Sequence, residues 1–166
     1  MEQNLTNSSI FNGLPIANYN FGNSPSRVTF NTIKIADQLV KVLSTVTSLP
    51  EIKDIAFNAN NLYIRFEHPF DENGRGVELY IDEKRENIIC LKTVYGSGDS
   101  NKTDKCSGFS SYLYENLKNS MEICKQRRAG VNIPFNPERV DIQNIVSLVE
   151  MGHEIYKELL ETKQTA

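Results

Sequence analysis

Residues 61–82 read NLYIRFEHPFDENGRGVELYID, and their alternation decides the fold class. Leu62, Ile64 and Phe66 alternate with Tyr63, Arg65 and Glu67; after a turn at Asp71-Glu72-Asn73-Gly74, Val77, Leu79 and Ile81 alternate with Glu78, Tyr80 and Asp82. A period of two puts the apolar side chains on one face of a sheet and the polar ones on the other. Two strands so patterned, joined by a polar turn, predict an antiparallel pair with one covered face.

Working outward, Ile52–Asn58 reads as a preceding strand, turning at Ala59-Asn60-Asn61. The polar run 82–87 turns into a fourth strand, Ile88–Tyr95, whose continuous Ile88, Ile89, Cys90 and Leu91 predict a central or doubly covered position. Before this meander, Ile35, Leu39, Val42, Leu43 and Val46 recur at helical spacing and predict a helix over about Thr32–Ser48. Asn31 is its expected N-cap and Pro50 marks its end; Val28–Phe30 is read as a short strand in an alternative.

After a Gly/Ser/Asp/Lys loop over 96–107, a second helix is predicted from about Gly108 to Arg128. Its buried stripe is Phe109, Tyr112, Leu113, Leu117, Met121 and Cys124. Gly130 and Pro134 break it, and a third helix opens at Asn136-Pro137-Glu138. The expected fold class is α+β: a four-stranded antiparallel meander with one N-terminal and two C-terminal helices, in the order α-β-β-β-β-α-α. No strand–helix–strand crossover is expected, which sets aside the doubly wound dinucleotide folds.

A length of 166 residues suits one domain, expected over 27–166. Residues 1–26 are rich in Asn, Ser, Gly and Pro and read as a flexible or partner-docking arm. Ile10, Phe11, Leu14, Ile16, Tyr19 and Phe21 give that arm more apolar surface than a solvated tail carries, so it is expected to dock on its own core or on a partner.

The three cysteines form no CxxC pair, and the N-terminus lacks the basic start and apolar block of a signal peptide. A cytoplasmic location is therefore expected. No apolar run approaches membrane-spanning length, and the net charge of −3 does not favour nucleic acid. The charge is uneven: residues 51–90 carry 5 basic and 9 acidic groups, residues 91–128 carry 7 and 4. That asymmetry can steer a charged partner. Lys118, Lys125, Arg127 and Arg128 are expected to form a basic end on the second helix, where cations suit the helix dipole.

Four constellations are candidates for function. Asp71, Asp82 and Lys84 form an Asp-x10-Asp-x-Lys array that resembles the signature of the PD-(D/E)xK nuclease superfamily. That resemblance implies a divalent metal held by Asp71 and Asp82, with Lys84 orienting water in a nuclease or phosphodiesterase. The competing reading is acidic turn residues that keep a meander solvated.

The loop containing Gly96, Gly98, Lys102 and Thr103 resembles a phosphate loop with Asn101 where glycine is required, and suggests a nucleotide-type ligand over Gly96–Ser107. Cys106, close to Lys102 and Lys105 and before a helix, has the setting of a reactive thiol, with His68 and His153 the only histidines to serve as its base.

The fourth constellation is the polar sheet face, with Tyr63, Arg65, Glu67, Glu78 and Tyr80, and Lys92 beside them. Tyrosine and arginine favour protein interfaces. The leading expectation is a small non-catalytic protein-binding or regulatory protein of the immunity, inhibitor or chaperone kind, using that face and the arm. A protein partner is expected, and the arm and third helix offer surfaces to a second copy. No cofactor, membrane or nucleic acid is expected.

Overall fold

The computed structural model describes residues 13–18, 28–58, 61–67, 77–82, 88–93, 109–119, 123, 125–126, 130–134 and 142–165. Its elements in chain order are β1 (Ile16–Asn18), α1 (Phe30–Leu43), β2 (Ile52–Asn58), β3 (Asn61–Phe66), β4 (Val77–Asp82) and β5 (Ile88–Thr93). They continue with α2 (Phe109–Leu117), β6 (Lys125–Gln126), β7 (Gly130–Pro134) and α3 (Ile142–Thr165). The α+β class and the meander β2-β3-β4-β5 stand as expected, each strand antiparallel to the next.

The sheet is wider than that meander. It has seven strands in the order β1-β2-β3-β4-β5-β7-β6. Two corrections follow. The segment expected to end the second helix is extended instead: Lys125–Gln126 and Gly130–Pro134 form a hairpin that pairs with β5 through β7. Pairing with the edge of β5 satisfies backbone groups that a helical tail would have satisfied internally. The basic helix end is therefore not formed, for Lys125 lies on β6 and Lys118 follows α2 in an ion pair with Glu115 at 2.7 Å.

The second correction concerns the arm. Ile16, Ala17 and Asn18 pair in parallel with Ile55, Ala56 and Phe57, so β1-α1-β2 is a crossover unit. The expected absence of a strand–helix–strand crossover is thereby corrected. All other pairings are antiparallel, and the fold stays outside the doubly wound class.

α1 starts earlier than the periodicity suggests. Thr29, not Asn31, is its N-cap, and the Thr32 N–H donates to Thr29 Oγ1 at 3.4 Å. Thr29→Ala is expected to cost roughly 0.5–1 kcal/mol in urea denaturation, the lower part of the range for a lost cap given this long bond. The helix stops at Leu43 because the Ser44 and Thr45 hydroxyls donate to the carbonyls of Val40 and Val42, at 2.6 and 2.7 Å, and turn the chain. Val46 thus leaves the expected helix and sits with Leu49 in the segment that leads to β2.

One face of the sheet meets the helices: α1 lies against β3, α3 against β4 and β5, and α2 against β7 and α3. Ile55, Phe57, Leu62, Ile64, Leu79, Ile81, Ile89 and Leu91 on that face are all buried with Leu39, Leu113, Leu148 and Tyr156 from the helices. A register shift between Ile52 and Asp54 lets Ile52 stay on the apolar side while Asp54 turns to the other. Tyr112 leaves the expected stripe of α2 and is 56% exposed. Among the described residues no helix is long and apolar enough to cross a membrane.

Candidate partner-binding surface

The second sheet face is organised in rows set by register. One row runs Ala56, Tyr63, Tyr80, Cys90, Asn132 and Lys125 across β2, β3, β4, β5, β7 and β6. The next runs Asp54, Arg65, Glu78 and Lys92, acid and base alternating across four strands. Opposite charges facing one another across adjacent strands stabilise a sheet.

Burial changes the meaning of this face. Tyr63 is 5% exposed, Tyr80 8% and Glu78 1%. The expectation of a solvent-facing Tyr/Arg/acid patch fails at these three positions. The tyrosine rings lie against one another, centroids 5.2 Å apart, and form a small buried cluster with Ala56 and Cys90.

Arg65 faces Glu78 on β4 in the register and Asp54 on β2. Its guanidinium forks onto Asp54 on β2, with Nε and Nη2 each 2.5 Å from a carboxylate oxygen. A bidentate pair of this kind is both directional and strong. Asn132, which the sequence reading did not single out, is also buried here, and neither of its amide atoms has a hydrogen-bond partner among the described residues.

The open end of this face lies at the start of β2. Glu67 is exposed, and its N–H donates to the Glu51 carbonyl at 2.8 Å. Glu51 lines a groove of about 480 Å³ walled by Leu14, Leu43, Val46, Leu49, Pro50 and Ile52. Leu14, Val46 and Ile52 are only partly buried. The groove thus joins the arm, the turn after α1 and the first residue of β2. Its residues had no legible signal beyond the apolar character of the arm, because Leu14, Val46 and Ile52 meet only through the fold.

Asp71, Lys84, His68, Cys106 and the loop with Gly96, Gly98, Lys102 and Thr103 lie outside the described residues, as do the side chains of Asp82 and Lys92. His153 is buried on α3 with its ring edge-on to Phe66, centroids 5.6 Å apart, in the main core. No group of three or more His, Cys, Asp or Glu arranged to hold a metal occurs among the described residues. No protein-family model, curated protein or solved structure matches the chain.

Proposed function

We propose that this chain is a non-catalytic protein-binding or regulatory protein, of the immunity, inhibitor or chaperone kind, that engages a protein partner where its arm meets the start of β2. The observation that carries this reading is the open groove beside β1, where apolar walls stand beside Ser44, Thr47 and Glu51. Its size suits one or two large apolar side chains of a partner. Glu51, which lines it and is exposed, gives its rim a negative charge. That rim favours a partner segment with Lys or Arg beside its apolar residues. Arg65 and Glu67 offer polar contacts on the other sheet face. Tyr63, Glu78 and Tyr80 support it from beneath, by holding the strands that carry Arg65 and Glu67.

Site-specific photo-crosslinking tests this. Thr47 is exposed and lines the groove; Lys157 is exposed on α3 and serves as the control position. A photoreactive side chain at 47 is expected to give a discrete protein adduct that Val46→Glu suppresses. The same adducts from position 157, or adducts indifferent to Val46→Glu, would overturn the reading.

A further inference from the structure

We propose that the outer edge of β2 is a strand-acceptor site, which takes an extended apolar-x-apolar segment of a partner protein in place of the chain's own residues 13–18. The proposal deepens the protein-binding reading and rests on it for the source of the occupant.

β2 is seven residues long, yet β1 pairs with only Ile55, Ala56 and Phe57. On its other side β2 pairs with β3 at six positions. A strand edge offers a row of backbone donors and acceptors to any extended chain that reaches it. β1 reaches it without a hairpin: residues 19–51, including all of α1, intervene between the two strands. No tight turn therefore enforces the pairing, and the parallel ladder is short.

The resident strand also defines its replacement. The Ile55 N–H donates to the Pro15 carbonyl at 3.1 Å, so the occupant's middle residue supplies a carbonyl. Leu14 and Ile16 flank it, both partly buried against the main core, so the occupant needs large apolar residues at those two places. Leu14 lines the groove described above, which makes groove and edge one continuous track. Pro15 contributes only its carbonyl to this ladder, because its ring leaves it no N–H to donate. Gly13, at φ 84°, turns the chain into the track through a conformation that residues with a side chain seldom adopt.

The test uses a fluorescent peptide with the sequence of residues 12–20 and the full chain. Ile16→Asp in the full chain is expected to release the resident strand and raise peptide affinity at least tenfold over the native chain. The Ile55 amide, fast-exchanging in that variant, regains protection when peptide is added. A peptide with aspartate at both apolar positions is expected not to bind. Affinities for native and Ile16→Asp chains within twofold of each other overturn the proposal.

The native chain gives a reading that needs no variant. Excess peptide is expected to move the amide resonances of Leu14 and Ile16 to unstructured positions while Ile55 stays protected. Persistence of the resident resonances at saturating peptide overturns the proposal. A native mass that doubles with concentration, and that the peptide returns to monomer, assigns the edge to a second copy and overturns the partner assignment. Displacement by peptide without adducts at position 47 would leave the acceptor edge standing and remove the partner reading. Adducts without displacement would do the reverse.

Discussion

Replacing Gly152 with valine is expected to lower the free energy of unfolding by about 2–3 kcal/mol, measured by urea denaturation. Gly152 lies inside α3, where glycine is ordinarily a cost of roughly 1 kcal/mol relative to alanine. The contact that justifies it is on the sheet: a Cβ at this position would stand 2.4 Å from Cδ2 of Leu91. Leu91 is fully buried in the central strand β5, so its side chain has little room to turn away. Valine adds two further carbons and the stiffness of a β-branch.

Gly152→Ala should lose much less, because its gain in helix propensity offsets part of the clash. Leu91→Ala opens space at the same point while costing about 2–5 kcal/mol in lost packing. The double variant Gly152→Val/Leu91→Ala should therefore be more stable than the two single losses imply, by about 1 kcal/mol or more. Additive losses would mean that the helix does not rest on the sheet at this contact.

The second large effect concerns the ion pair on the other face. Arg65→Met is expected to destabilise the fold by about 2–3 kcal/mol, below the 3–5 kcal/mol for breaking a fully buried pair because the Arg65 side chain is 25% exposed. The methionine keeps much of the side-chain length but leaves the Asp54 carboxylate, 8% exposed as a residue, without its fork. Glu78, 1% exposed, then faces methionine in the register, so two acids lose a basic neighbour.

Arg65→Lys should recover little, because an ammonium cannot make two parallel bonds to one carboxylate. Asp54→Ala combined with Arg65→Met should recover a substantial part, since both charges are then removed together. If the double variant is no more stable than Arg65→Met alone, the pairing with Asp54 is not the origin of the loss.

These two positions show how far local pattern reaches. The meander was legible because each strand carries its own signal: Leu62, Ile64 and Phe66 define a face without reference to any other segment. Helix α1 was legible for the same reason, but its ends were not. The cap at Thr29 and the stop at Ser44-Thr45 depend on particular hydroxyl contacts that the apolar spacing does not report. In α2 the apolar spacing runs on to Cys124, which argued for a longer helix. The two residues of β6 and the short Val131-Asn132-Ile133 alternation were too brief to contest it.

The candidate surface was legible only in part. The arm's excess of apolar residues was visible, and Leu14 and Ile16 do pack on the chain's own core. The polar sheet face was visible as alternation, yet alternation states only which side chains share a face. It does not state whether that face is open to solvent, and Tyr63, Tyr80 and Glu78 are buried.

Periodicity and turn chemistry between neighbours in the chain therefore determine that this protein is α+β, with four antiparallel strands and helices before and after them. Only the tertiary structure decides that residues 16–18 pair with 55–57, that β7 inserts between β5 and β6, and that Leu14, Val46 and Ile52 wall one groove. The physical reason is range. A strand's face follows from adjacent residues, whereas its partner at an edge is chosen by which distant segment best satisfies the open backbone groups and buries apolar surface there.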